Sequence, residues 1–418
     1  MLAVAALLAP RLSAAQDSIS GVRVGITYTP GTRPALAVVG PRSAVADSVR
    51  AVLQLDLDQS DRFDIAARTG AAEQPDARTL SALGVEYAVV VTATAGGWAD
   101  VRLVDGRSGA ERWRRPVSAA RRLTIHAAAD AIVQALFGQP GIAATRLLLV
   151  RGGRIWRIDA DGQNAAALRT AGWPSLSPAW SPDARRFAYT AFVPAGQPIV
   201  MQDFGSGARM VLPGTEYGLN ITPAFSADGR RLAYSHGTEA GMDIYLAQER
   251  DGRWEVGGPL TAGRFADNLS PAWSPDGSRL AFISNRARSP QLYVMSADGT
   301  GQELLARFDF GSTGQTSAPA WSPDGGLIAF HREVGGAPQV FVVDVAAGAL
   351  RQITGSGRNE DPTWAPDSRH LAFVSSRSGA REVWVVDLET GRRRQVTTGG
   401  GARLPAWSPR LTHDEGRE

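Results

Sequence analysis

The stretch Ser270-Pro271-Ala272-Trp273-Ser274-Pro275-Asp276 occurs in six near-copies along the last two thirds of this chain. The others are Ser177–Asp183, Thr222–Asp228, Ala318–Asp324, Asp361–Asp367 and Leu404–Arg410, and their first prolines lie 45, 48, 48, 43 and 43 residues apart. A period of that length marks one supersecondary unit copied into an array. In the unit that starts at Pro271, Pro275-Asp276-Gly277 reads as a turn, because Pro presets φ, Asp bonds locally and Gly tolerates the tight exit. Arg279–Ile283 alternates as a strand, Asn285–Pro290 is a polar connection, and Gln291–Ser296 is a second strand leading to the hairpin signal Asp298-Gly299. Glu303–Leu305 is a short outer strand. With the Ala272-Trp273 segment this makes four antiparallel strands, a propeller blade. The repeated Trp (Phe225 in the second copy) is expected to pack between blades, and the turn aspartates to form turns rather than to bind metal.

The two ends of the array complete each other. The last copy stops at Trp407–Leu411, where its later strands should begin, whereas Arg146–Arg169 holds two later strands and the Asp161-Gly162 hairpin with no opening phrase. Together they make one blade, so the chain is expected to close a six-bladed ring by pairing its C-terminal strand with strands from about residue 146. Closure removes sheet edges that invite aggregation.

About 120 residues precede the ring. Val22–Tyr28 and Ala35–Val39 read as strands separated by the Pro30-Gly31 turn, Ser43 as an N-cap for a helix through Leu57, Phe63–Ile65 as a short strand and Val85–Val91 as an apolar strand. Trp98–Val104 and Glu111–Val117 read as a hairpin, and Arg121–Phe137 as a helix ended by Gly138. The fold class expected is α+β: a signal peptide at 1–15, an N-terminal α/β domain at 16–138, an all-β six-bladed propeller at 144–411 and a tail at 412–418. The signal reading rests on the apolar run Leu2–Ala9 and the small residues of Ser13-Ala14-Ala15.

Composition excludes several functions. There is no cysteine, which removes disulfides, thiolate metal sites and a cysteine nucleophile. No apolar stretch reaches 18 residues, so no helix is expected to insert in a membrane. Net charge is only +3, with arginine interspersed among acids, so no nucleic-acid footprint is read. No Gly-x-Ser-x-Gly occurs, and 120 residues are too few for a hydrolase domain. His126, His236, His331, His370 and His413 are scattered without metal spacing and are expected to be packing or surface residues. No catalytic residue, cofactor or metal is therefore assigned.

Beyond the propeller phrase, Arg33–Val39, Asp56-Leu57 followed by Ser60-Asp61-Arg62-Phe63, Leu83-Gly84-Val85, and His126 and Asp130 with the exit Gly138–Arg146 resemble the TolB family, the soluble periplasmic components of the Tol-Pal cell-envelope system. Asp61 stands where that family's segment has Gly. The resemblance implies a non-catalytic, monomeric scaffold in the periplasm that supports outer-membrane integrity and cell division and is a route for protein import. One propeller mouth would bind Pal, the peptidoglycan-associated lipoprotein. The mature N-terminus near Gln16–Tyr28 would engage TolA, the inner-membrane energiser, with Ile19, Val22, Val24 and Ile26 as candidate contacts. Residues just before each Pro-x-Trp phrase lead into the innermost strand and are expected to form the mouth and channel wall: Asn220, Thr222, Asn268, Ser270, Thr316, Asn359, Glu360, Asp361 and Arg403. A secreted sensor or glycan-binding propeller, and the propeller of a peptidase-like system without its hydrolase domain, are the alternatives.

Overall fold

The computed structural model describes residues 33–66, 80, 82, 84–170, 172–262, 266–306 and 314–411. The expected signal peptide, the strand Val22–Tyr28, the contacts Ile19, Val22, Val24 and Ile26, and the tail 412–418 lie outside the described residues.

The N-terminal unit is one five-stranded sheet with helices against one face. In chain order it runs β1 (Ala35–Val39), α1 (Ala44–Gln59), β2 (Asp64–Ile65), β3 (Tyr87–Ala93), β4 (Trp98–Asp105), β5 (Glu111–Ser118) and α2 (Arg122–Phe137). The sheet order is β2-β1-β3-β4-β5; β1 runs parallel to both neighbours, and β3, β4 and β5 form an antiparallel meander. The Ser43 hydroxyl accepts the Ala46 N–H at 3.1 Å and caps α1. Val49, Leu53 and Leu57 of α1 and Ile125, Ala129 and Ile132 of α2 join Val89, Val91, Val101 and Leu103 in a single core. Gly138, at φ 78, ends α2 and donates to Gln134 O. Asp130 then holds the linker, accepting the Ala143 and Ala144 N–H groups at 2.7 and 2.9 Å. A Cβ on Gly141 would sit 2.5 Å from that carboxylate, so a side chain there would have to displace it from the linker.

The rest is a ring of six sheets. The inner strands are Ser175–Trp180, Gly218–Phe225, Asn268–Trp273, Thr316–Trp321, Asn359–Trp364 and Arg403–Trp407. In the sixth sheet Arg403–Trp407 pairs antiparallel with Arg146–Arg151, with Trp407 opposite Leu147 and Arg403 opposite Val150. Each second strand buries an aromatic or large apolar residue at one register position: Tyr189, Tyr234, Phe282, Phe330 and Phe373, with Leu149 in the sixth, none more than 2 % exposed. The tryptophans reach across the blades, as their spacing predicts. Trp273 Nε1 donates to Ala224 O at 3.1 Å, Trp364 to Ala320 O at 2.9 Å and Trp180 to Ala406 O at 3.0 Å. Trp321 differs and bonds Gly325 O of its own turn. The turn aspartates are consumed locally, as at Asp276, which accepts from Ser274 Oγ at 2.5 Å and Ser278 N at 3.0 Å.

Candidate functional site

Every inner strand carries a proline, which has no N–H to offer a ladder and is tolerated on a sheet edge or at a bulge. Here both conditions hold. The inner strand is the channel-side edge, and its register shifts around the proline, for example between Ile221 and Ala224, Leu269 and Ala272, and Glu360 and Thr363. The residue before each proline takes a left-handed backbone: Ser177, Thr222, Ser270, Ala318, Asp361 and Leu404 have φ between 49 and 55°. None is glycine, and Thr222 is β-branched, for which this region is a clear outlier. Six such residues, one per blade, form a ring around the channel. Neighbouring blades fix it in part. Ser270 N donates to Ser235 Oγ at 3.1 Å, Asp361 N to His331 Nδ1 at 3.1 Å and Leu404 N to Asp361 Oδ2 at 3.3 Å.

Asp361 is the acidic member of this ring. Burial pushes its carboxyl above the ordinary range, which the neighbouring His331 opposes. Burial likewise lowers His331. Since His331 Nδ1 accepts a backbone N–H, the imidazole is the neutral Nε2–H form. Above this pair Arg358 reaches Glu360 at 3.1 Å and Arg381 approaches it at 4.0 Å.

The expected mouth residues separate into two groups. Thr222, Ser270, Glu360 and Asp361 are half-buried and Arg403 is exposed. Asn220, Asn268, Thr316 and Asn359 do not line the wall: all are 0–1 % exposed. Asn268 and Asn359 fasten neighbouring blades instead, whereas Asn220 and Thr316 bond the adjacent strand of their own blade. Asn268 Nδ2 donates to Asp243 of the preceding blade at 3.0 Å, and its Oδ1 accepts from Arg286 at 2.8 Å. Asn359 repeats this with Gln339 at 2.9 Å and Arg377 at 3.0 Å. Asn220 bonds His236 at 2.7 Å, and Thr316 accepts from Arg332 at 3.2 Å. The physical reason is that a polar side chain between blades must find partners, and an amide offers both donors and an acceptor. The signal was present in the sequence: Ser284-Asn285-Arg286 and Ser375-Ser376-Arg377 each place an arginine 18 residues after its asparagine.

The opposite end of the channel, where inner strands finish, is covered on the fifth and sixth blades by the N-terminal unit. Here two of the histidines expected to be packing or surface residues, His126 and His370, enter buried charge networks. His370 contacts Asp367 at 2.6 Å and, across the domain boundary, Asp61 at 3.3 Å. Burial works against its charge, yet Asp367, Asp61 and Asp387 raise it to about 9. Arg369 pairs with Asp387 at 2.5 Å and donates to Asp61 O at 3.1 Å. Arg392 pairs with Asp61 at 2.8 Å. His126 bonds Asp56 at 2.7 Å between the two helices, near Asp161, which pairs with Arg122. The sets Asp56, His126, Asp161 and Asp61, His370, Asp387 have the proximity to hold a metal ion. Arg122, Arg369 and Arg392 already pair with Asp161, Asp387 and Asp61, and Asp56 is held by His126, so the chemistry shown is that of ion pairs.

Comparison with known proteins follows this geometry. The model of the TolB beta propeller domain matches residues 133–311 and 306–413, about two thirds of the chain. The Tol-Pal system protein TolB of Albidiferax ferrireducens is 31 % identical over 218 residues, 49 % of this chain and 50 % of that protein. Its counterpart in Methylococcus capsulatus is 31 % identical over 188 residues, 40 % of this chain and 44 % of that protein. The chain thus spans about half the length of the curated relatives it matches. The crystal structure of TolB from Acinetobacter baumannii superposes with a TM-score of 0.78 at 25 % identity, covering 93 % of this chain and 100 % of that one.

Proposed function

The chain belongs to the TolB family, and from that premise we propose that it is a non-catalytic, monomeric periplasmic scaffold of the Tol-Pal system, divided near residues 138–144 into an N-terminal domain and the propeller. On this reading the open propeller mouth binds a Pal-like lipoprotein, and the N-terminal segment with Ile19, Val22, Val24 and Ile26 engages a TolA-like inner-membrane protein. One observation carries the mouth assignment. The two channel ends are unequal: among the described residues the N-terminal unit packs on one through buried ion pairs and not on the other, and the inner strands that begin at that other end carry six strained residues of the kind that cluster at functional sites. Of the mouth residues expected from sequence, Thr222, Ser270, Glu360, Asp361 and Arg403 stay in this assignment. Asn220, Asn268, Thr316 and Asn359 support it from beneath.

The test is calorimetric titration with the soluble domain of the peptidoglycan-associated lipoprotein from the same organism. The variant Leu219→Arg, at an exposed position where the inner strand of the second blade begins, should weaken binding at least about tenfold, the scale of a disrupted interface core, with an unchanged melting temperature. Unchanged affinity rejects the mouth. Removing residues 16–21 should abolish binding of the TolA-type partner and leave lipoprotein binding intact; persistence of the TolA-type interaction rejects the N-terminal assignment.

A further inference from the structure

The mouth is chemically lopsided. Seven large apolar side chains are exposed among the described residues, and three of them, Trp173, Tyr217 and Leu219, lie where the inner strands of the first two blades begin. Tyr217 is 74 % exposed, Trp173 46 % and Leu219 39 %. They share one connected ridge. Phe192 N donates to Pro174 O at 2.8 Å, beside Trp173. The same loop then returns at Gly196–Gln197 to pair in parallel with Gly218–Leu219. A Cβ on Gly196 would come within 2.8 Å of Gly218 N, so the loop backbone is pressed directly against the strand that carries Tyr217. An exposed aromatic ridge on a hydrogen-bonded base is an interaction surface in waiting, because a soluble surface gains nothing by holding it in water.

The fifth and sixth blades present the contrary chemistry. Arg358 and Arg381 have 52 % and 43 % of their side chains exposed, whereas Glu360 beneath them has 20 % and Asp361 has 19 %. Arg403 is exposed and has no ion-pair partner among the described residues, and its charge acts on Asp361. The guanidinium groups thus form the outer layer and the carboxylates the inner one, so an approaching molecule meets positive charge. Guanidinium favours planar, bidentate carboxylate recognition.

We infer that the partner face received by this mouth is itself split: an apolar patch seats on Trp173, Tyr217 and Leu219, and an acidic patch meets Arg358, Arg381 and Arg403. This rests on the reading of the mouth as the docking surface, and it fixes the rotational setting of the partner about the channel axis. The two sectors act differently. The charged sector steers encounter and is screened by salt, whereas the apolar ridge sets residence and is nearly indifferent to salt.

Two variants of the full chain separate these roles, titrated with the soluble lipoprotein domain at low and high ionic strength. Arg358→Glu with Arg403→Glu should weaken binding at least about tenfold at low salt and flatten the salt dependence seen with the unaltered chain. Tyr217→Ser should weaken binding by about the same factor at both salt concentrations. Tyr217 is mostly exposed, so its truncation leaves the core untouched. If the arginine variant keeps the original affinity and salt slope while Tyr217→Ser loses binding, the acidic patch is wrong and the mouth assignment stands. If neither variant changes binding, the mouth assignment itself falls.

Discussion

The two ends of the propeller channel draw on the same residue types, arginine, carboxylate and histidine, and put them to opposite uses. At the covered end Arg369 is 5 % exposed and its partner Asp387 0 %, and His370 is 1 % exposed between Asp367 and Asp61. At the open end Arg358 and Arg381 stand about half in solvent over Glu360. A charge removed from water must be paired, and the pairing becomes structure. A charge left in water contributes little to the fold and stays available to a partner. Exposure, more than residue identity, separates the end that joins domains from the end offered for binding.

Both ends depend on the ring, so the largest effect should come from opening it. Deleting residues 403–411 removes Arg403–Trp407 from the sixth sheet and, with it, Trp407, whose Nε1 donates to Thr145 Oγ1 at 2.8 Å. It also removes Arg410, which donates to Gly141 O and Pro140 O in the linker. The expected outcome is loss of cooperative unfolding and aggregation from the exposed edge of Arg146–Arg151. A shortened chain that melts cooperatively at the original temperature would show that closure is dispensable.

The next effect is confined to the covered end. Arg369→Ala leaves Asp387 buried without its guanidinium and removes the donor to Asp61 O. Breaking such a pair costs about 3–5 kcal/mol. The same truncation at Arg358 or Arg381 should cost under about 1 kcal/mol, the range for exposed pairs. Denaturant titration measures both, and equal losses at the two ends would erase the contrast.

The covered end should also respond to alkali. An unfolded histidine titrates near 6.5, and folded His370 near 9 because Asp367, Asp61 and Asp387 outweigh burial. The stabilisation, of the order of 3 kcal/mol for such a shift, is complete below about pH 6.5 and disappears as pH rises through about 9. Replacing His370 by Gln should flatten the stability profile between those limits. An unaltered alkaline decline in H370Q would place its origin elsewhere.

These effects were unequally legible in the sequence. The Pro-x-Trp phrase announced the blades because its period is local and repeats six times, and the truncated last copy matched the unopened first one at Arg146–Arg169. The covered end was hidden, because Asp61 and His370 are 309 residues apart and no periodicity links them. The channel wall was read only in part. Asn268 and Ser270 are both polar and two apart, which in a regular strand puts them on one face. The bulge at the proline breaks that alternation, leaving Ser270 on the channel ring and Asn268 sealed between blades.

The smallest and most discriminating comparison uses backbone strain that both ends share. Asp61 at the covered end has φ 56°, and Ala318 in the channel ring has φ 51°. Glycine relieves the left-handed penalty at either position, about 1 kcal/mol, but loses a similar amount to the greater freedom of the unfolded chain. Ala318→Gly should therefore shift stability by no more than about 1 kcal/mol in either direction. Asp61→Gly gains the same relief and also forfeits the contacts to His370 at 3.3 Å and Arg392 at 2.8 Å. It should be net destabilising by about 1–3 kcal/mol, the price of leaving buried partners unsatisfied. Matched chemical denaturation of the two variants reads the difference. If A318G and D61G behave alike, the Asp61 carboxylate adds nothing across the boundary, and the covered end is held by its other contacts, among them Arg369 to the Asp61 carbonyl and Arg122 to Asp161.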